Sequence, residues 1–587
     1  MAAFVTAAFA HLRRLVRRNE ALFIALAATA GALGGAGAVF LSSSAELFHF
    51  VLFGHPQLSD LIALDDKAQV SIPCLGGLIL GLSGIYLQKW MTPRPVDPIE
   101  ANALQGGRMS LKDSLLVAAQ TVVSNGFGAS VGLEAAYTQL GSGMASSVGR
   151  AFRLRRGDLR TLVACGSAGA IAAAFGAPLT GAFYAFELIL GNYTPFVLAP
   201  VGAAAVSGVL VSKAFGGAGQ FMSQIPISAA LSKSDMTLLL LLGLICALFG
   251  ILVMRAVASI ERVCERLRLP RAIQPAVGGL IVGLLALAAP QVLSSGHAGL
   301  LELFRDNRIP LTILLLTLLL KTAASVVSLG TGFRGGLFFA SLFIGAMIGR
   351  AFFLGVGYFN APLAPDIDVC TLVGMAALAV AIIGTPMAMS FLALETTGSF
   401  PLSLVMLAVT SIVSIIVRRA FGYSFATWRF HLRGETIRSA QDIGWMRDLT
   451  TGKLMRADVP KAPLDMRIST FMEEFPARST NQWVAVIGPT GSYAGLVFVP
   501  DIHLAGAKGD PASASLGKLV RLPDIFLTPD MDVKLSVERF EQSESEALAV
   551  VDNAKDRHVI GLLTEAHVLR RYTDELDRAR LELAGEG

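Results

Sequence analysis

The sequence predicts an all-α polytopic membrane domain, internally repeated and built partly of short, broken helices, followed by a small α/β domain. Three observations lead there. Of 587 residues, 53% are hydrophobic and only 16% charged, against about a quarter charged in soluble domains. Apolar runs follow one another from about Ala21 to Val417, and a pair of short elements occurs twice along them in the same order. From about Glu435 the chain gains charge and loses long apolar runs. A single soluble domain is excluded by length and by a mean hydropathy of +0.61.

The amino end carries Arg13, Arg14, Arg17 and Arg18 before its first apolar run. That run, Ala21 to Leu41, is too long for the core of a signal peptide and leads into further membrane segments. It reads as an uncleaved first helix with a cytoplasmic amino end. Other basic clusters, "FRLRRGDLR", "ERVCERLRLPR" and "VRRA", also flank apolar runs, as positive-inside signals do. With a net charge of only +5 and no aromatic interleaving, they do not point to nucleic acid. Five cysteines without C-x-x-C spacing and eight scattered histidines predict neither disulfide nor metal site.

Several apolar segments are too short for a straight span of roughly 20 residues. Examples are "SLLVAAQTVVSNGFG", "GAPLTGAFYAFELIL" and "GTPMAMSFLALE". Broken helices at membrane depth are tolerated where they pack inside protein or line a polar path, which favours a transporter or channel. "GAPLTGAFYAFE" (Gly176 to Glu187) matches "GTPMAMSFLALE" (Gly384 to Glu395), with Pro178 and Pro386 each nine positions before a glutamate. Upstream of each, a glycine-rich turn opens a helix expected to end in "GRAF", at Gly149–Phe152 and Gly349–Phe352. Such paired segments point to a site between two halves, here about 20–215 and 236–433. Glu187 and Glu395 read as structural, paired or interfacial residues.

The glycine turns "GASVGLEAAY" and "GTGFRGGLFF", one per half, suggest what the site binds. An anion in a bilayer needs positive potential without a full cation, which would hold it too tightly to move. A helix N-terminus offers unpaired amides and a dipole worth about half a charge. Glycine there lets the ion approach the backbone. Glu134, opening the helix after the first turn, would be a tethered competitor for that place. Protonation or the permeant ion would move it aside.

At these residues the chain resembles the CLC family of chloride channels and proton/chloride exchangers, over nearly its whole length. "GLEAA" (Gly132 to Ala136) looks like the family's GREGP motif, and "GLFFA" (Gly336 to Ala340) like its G-x-F-x-P motif. "AAFGAPLTGAFYAFE" matches its F-N-A-P-L-A-G segment with Gly176 for Asn, and "ALETTGSF" its LEMT helix. The resemblance implies the CLC fold with inverted halves, a homodimer with one pore per subunit, and Glu134 as the gate. It also implies chloride or a related anion held by the backbone at Leu133, Val96, Leu337, Phe338 and Phe339. Residues 1–434 would form the transport domain in the lipid bilayer of a bacterial inner membrane. Beyond the anion no cofactor is implied.

Three departures carry consequences. The family's GSGIP loop falls on "RPVDP" (Arg94 to Pro98), so the ion-binding serine becomes Pro95, a change associated in the family with nitrate preference. Asp97 is expected to turn away from the anion or pair with a base such as Arg94. The central tyrosine falls on Ala426, with Tyr423 close enough to substitute. The inner glutamate of the family's exchangers falls on Leu188, which cannot relay a proton and leans the reading towards passive conduction. Leu337, where a fluoride-specific branch has an acid, argues against fluoride.

Residues 435–587 repeat internally as well. "VAVIGPTGSYAGLVFVPDIHLA" (Val484 to Ala505) parallels "LAVVDNAKDRHVIGLLTEAHVLRRY" (Leu548 to Tyr572), each preceded by an amphipathic stretch. Each copy reads as strand, turn, strand and helix, and two copies should pack their sheets together. They resemble a cytoplasmic pair of cystathionine-β-synthase (CBS) domains, about 447–507 and 515–575. Adenine-nucleotide sites in such pairs use G-x-[ST]-x-x-D. Here Asp501 comes with Phe498, and Thr564 with His567, so neither copy is complete and a structural or dimer-stabilising role is favoured. An intramembrane enzyme would need a second acid, a nucleophile or a metal cluster. No H-E-x-x-H or paired-aspartate motif supplies one, and the single G-x-S-x-G match, "GASVG" (Gly128 to Gly132), is the glycine turn already read as part of the anion site. A CBS-bearing membrane sensor without transport would leave the repeat unexplained.

Overall fold

The computed structural model of the chain describes residues 13–17, 19–55, 66–87, 95–216, 233–305, 309–360, 365–422, 424, 425, 427, 428, 450–477, 482–507 and 514–571. The chain divides into two compact units, Met1–Asp442 and Ile443–Gly587. The expected boundary at 434/435 lies outside the described residues.

The first half of the larger unit contains α1 (Glu20–Phe53), α2 (Asp66–Leu87), α3 (Pro98–Leu104), α4 (Leu111–Gly126), α5 (Glu134–Ala151) and α6 (Arg156–Phe175). It ends with α7 (Pro178–Tyr184), prolonged by a π turn (Ala185–Leu190), and α8 (Pro195–Ala214). The second half contains α9 (Lys233–Arg266), α10 (Gln274–Ala286), α11 (His297–Arg305), α12 (Leu311–Gly330), α13 (Phe338–Asn360), α14 (Ile367–Ile383), α15 (Pro386–Thr397) and α16 (Phe400–Ala420). Among the described residues eight helices are long and apolar enough to cross a membrane, while α10, α14 and the α7–π segment are shorter.

Local chemistry sets the helix ends. Asn19 caps α1 by accepting from Ala21 N at 2.9 Å, and Asp366 caps α14 by accepting from Asp368 N at 2.9 Å. Left-handed Gly176 and Gly384 stop α6 and α14, and Pro178 and Pro386 restart the chain as α7 and α15. The repeat read from the sequence is thus the same break, made twice. From Val369 to Ile383 every residue of α14 is buried, so it is a core helix, as a helix apolar all round must be.

One expectation is corrected. "GRAF" ends α5 at Ala151, but in the second half α13 runs through its copy to Asn360. Residues Phe353 to Phe359 are apolar or glycine, and nothing in them stops a helix. In both halves the broken helix meets its successor through small residues. A Cβ on Gly141 would sit 2.5 Å from Gly166 O, and one on Gly345 2.4 Å from Gly374 O. Such contacts suit membranes, where helix association rests on close packing.

The halves also trade partners. Glu395 of α15 accepts from Leu179 N (2.7 Å), Thr180 N (2.9 Å) and Thr180 Oγ1 (2.7 Å) at the start of α7. Glu187, just beyond α7, accepts from Met387 N and Ala388 N, both at 3.0 Å, at the start of α15. Each glutamate therefore satisfies amides that an α-helix cannot pair within itself. Reciprocity of this kind requires a local two-fold relation between the halves.

In the smaller unit, β1 (Lys461–Pro463), β2 (Trp483–Ile487) and β3 (Tyr493–Phe498) form one sheet, and β4 (Ala547–Val551) and β5 (Val559–Thr564) another. β2 and β3 run antiparallel with a register shift at Val486/Ile487, and β4 and β5 likewise with one at Val550/Val551. The helices predicted before and after each hairpin are present: α17 (Ile468–Glu474) and α18 (Val499–Ala507), then α19 (Val533–Ser543) and residues 565–571. The parallel pairing of β1 with β2, matched by a bridge from Leu527 to Val550, was not evident in the sequence. Ala485, Leu496, Ala549 and Val551 share one apolar cluster, so the two sheets pack face to face.

Glu395→Ala would strand the Leu179 and Thr180 amides. A loss of about 1–3 kcal/mol is expected, with a similar loss for Glu187→Ala. Thermal unfolding of the detergent-solubilised protein checks this, and Glu395→Gln, which keeps one acceptor oxygen, should fall between Ala and the native residue.

Candidate anion site

The site is built where the two glycine turns meet. Residues 124–133 and 328–337 share the pattern S-x-G-x-G-x-x-x-G-L. In each copy the second glycine of the pattern turns the chain. Gly128 and Gly332 have φ of 86° and 98°, and the next amide bonds back to Ser124 O or Ser328 O at 3.0 Å. The hydroxyls then cross between halves. Ser328 Oγ accepts from Ser130 N, and Ser124 Oγ from Arg334 N, both at 3.0 Å. Gly132 and Gly336 close the meeting with an antiparallel bridge, N–H to O at 2.9 and 3.1 Å.

Directly after the bridge, α5 starts at Glu134 and α13 at Phe338. Their N-termini therefore face each other, and first-turn amides of both point at one place. The Glu134 carboxylate fills that place and is only 3% exposed. Its Oε1 accepts from Phe338 N at 2.5 Å, and the amides of Phe339 and of Glu134 itself also act on the carboxylate. Glu134 N and Phe338 N are counterparts in the repeat. Among the described residues Oε2 has no hydrogen-bond partner. The carboxylate folds back over both bridging glycines. A Cβ on Gly132 would sit 2.0 Å from Oε2, and one on Gly336 2.3 Å from Oε1.

Aromatic rings enclose the site. Phe175 stacks on Phe339 (4.9 Å between centroids) and meets Phe338 edge-on (5.1 Å). His297 lies 4.7 Å from Phe339, and Tyr184 6.2 Å from Phe338. In such dry surroundings a lone carboxylate is costly unless protonated or compensated by the amides. The cradle suits one monovalent negative group, and the Glu134 carboxylate occupies it.

Leu133 precedes α5 as its N-terminal flanking residue, and Leu337 and Phe339 are buried beside Phe338. Val96 O accepts from Gln139 Nε2 at 2.9 Å, which pins the loop of Pro95 and Val96 to the helix carrying Glu134. Asp97 caps its own helix α3, accepting from Ile99 N at 2.8 Å. The expected partner Arg94 lies outside the described residues, as do Ala426 and Tyr423. Leu188 lies in the π turn after α7, packed on the core. In the smaller unit Asp501 forms an ion pair with Arg521 at 2.6 Å, and Thr564 ends β5. Sequence reasoning missed Ser124, Ser328, Gln139 and Tyr184. The first two carry a readable signal, since the ten-residue pattern recurs at a constant offset.

Two helix starts meeting head to head around one buried carboxylate, within a duplicated set of broken spans, define an integral membrane protein for anion transport. A family model described as "Voltage gated chloride channel" matches residues 76–419. The putative chloride channel protein ClcB-like of Ralstonia nicotianae is 31% identical over 399 residues, 66% of this chain and 92% of that one. A slow cyanobacterial Cl−/H+ antiporter aligns with a TM-score of 0.62 at 18% identity, covering 70% of this chain and 97% of its own. A eukaryotic CLC transporter aligns with a TM-score of 0.58 at 18% identity, over 95% of this chain and 98% of its own. The chain belongs to the voltage-gated chloride channel (CLC) family.

The three heavy atoms nearest to a Cβ on Gly132 all belong to Glu134, which gives a double-mutant cycle. Gly132→Ala should lower the unfolding temperature in the native background and cost nearly nothing in a Glu134→Ala background. Equal penalties in both would mean that the carboxylate does not lie over the glycine.

Proposed function

We propose that the protein is a homodimeric chloride channel with one pore per subunit, conducting passively and gated by Glu134. One observation carries the choice of channel over exchanger: Leu188 occupies the position of the inner proton-carrying glutamate and is packed on apolar core. The carboxylate beside it, Glu187, is committed to the amides of Met387 and Ala388. At the Leu188 position a proton leaving Glu134 would meet a leucine side chain and not a carboxylate. Amides of Leu337, Phe338 and Phe339, with the backbone at Leu133 and Val96, coordinate the anion. Pro95 contributes no hydroxyl.

A second reading is proton-coupled exchange of chloride or nitrate. Glu134 favours it, because this carboxyl can carry a proton partway, and the cyanobacterial protein of like fold is a Cl−/H+ antiporter. Pro95 favours nitrate within it. On either reading the N-terminus and the C-terminal unit, a CBS pair with a structural or dimer-stabilising role, lie in the cytoplasm. The membrane is the bacterial inner membrane.

In liposomes or planar bilayers, the reversal potential should follow the chloride gradient and ignore a superimposed pH gradient. A shift with pH would establish exchange. Glu134→Gln, which cannot titrate, should remove the pH dependence of the flux, and full pH dependence in that variant would remove Glu134 from the gate.

A further inference from the structure

Besides His297, the aromatic wall of the site holds a polar group that the mechanism leaves unused. Tyr184 ends α7 and is only 7% exposed, with its ring against Phe338, whose amide binds Glu134. Its hydroxyl is within electrostatic reach of the Glu134 and Asp97 carboxylates. It bonds to neither, and it finds no hydrogen-bond partner among the described residues. A buried tyrosine ordinarily gives its hydroxyl a partner, and Tyr184 Oη, which is not among the fully enclosed unpaired atoms, keeps a little accessible surface instead. Other buried tyrosines here obey that rule. Tyr137 bonds Ser42 at 2.7 Å, and Tyr493 bonds Leu522 O at 3.0 Å. Near Tyr184 a second oxygen is also unpaired, Oε2 of Glu134. The two differ in kind: an ionised carboxylate only accepts, whereas a phenol can donate.

A missing acceptor explains the hydroxyl. We infer that Tyr184 is a side-chain ligand of the permeating anion, donating its phenolic hydrogen to the ion beside the Phe338 amide when Glu134 moves aside. This rests on the reading of Glu134 as the gate and adds to it the hydroxyl that Pro95 cannot supply. The donor comes from α7, in the first half of the chain, whereas the Phe338 and Phe339 amides come from the second. Both halves then hold the ion. No proton is transferred and no bond is made or broken; the hydroxyl hydrogen only turns towards the anion.

The test compares the full-length native protein with Tyr184→Phe in liposomes, reading chloride efflux against chloride concentration. Half-saturation should rise about tenfold or more, the size expected for losing one hydrogen bond to a charged group. The unfolding temperature should not fall, because the deleted hydroxyl had no protein partner. If native protein conducts and Tyr184→Phe keeps the same half-saturation, the inference fails while the gate reading stands. If native protein moves no anion, both fail. Should the variant not fold, crystals of native protein grown in bromide decide. An anomalous peak within hydrogen-bond distance of Tyr184 Oη supports the assignment, and peaks confined to backbone amides overturn it.

Discussion

A backbone amide inside a bilayer must find a partner, and breaking a helix exposes several at once. The crossed contacts between the halves of the membrane unit answer that constraint. The breaks at Gly176 and Gly384 expose the first amides of α7 and α15, and the opposite half supplies Glu395 and Glu187 to receive them. The turns at Gly128 and Gly332 expose Ser130 N and Arg334 N, and the opposite half supplies Ser328 and Ser124. Two halves with complementary deficits complete each other where neither could stand alone.

The place where this completion stops is the site. At the Gly132–Gly336 bridge the two-fold match is close and Leu133 still matches Leu337, but the pair after that is Glu134 and Phe338. One member brings a carboxylate and the other only a ring, so the amides that remain around the bridge converge on a single negative group. A perfectly duplicated sequence would put two carboxylates there, and they would repel each other. Anion chemistry thus arises from one asymmetric position within an otherwise symmetric frame.

Much of this was legible in the sequence. Composition and broken apolar runs gave the class, Pro178 and Pro386 with their glutamates gave the repeat, and the glycine turns with Glu134 gave the site. What stayed hidden depends on contacts between residues some two hundred positions apart. Local pattern carries no sign that Glu395 reaches Leu179, because a glutamate on an apolar helix looks the same whichever amide it meets. The Ser124 and Ser328 match was readable but masked by unlike residues between the fixed positions. "GRAF" misled because four shared letters do not stop a helix that glycine and aromatic residues can continue. β1 escaped because three residues ending in proline carry no alternation.

The crossed glutamate clasp has a consequence for how the protein is made. The ribosome delivers α7 more than two hundred residues before Glu395, so the amides of Leu179 and Thr180 enter the translocon with their eventual acceptor still unsynthesised. Insertion of the first half is therefore provisional: water, lipid headgroups or a chaperone must serve those groups until the second half arrives. A nascent chain truncated before Glu395 keeps the amides of Leu179 and Thr180 without the acceptor they have in the complete fold.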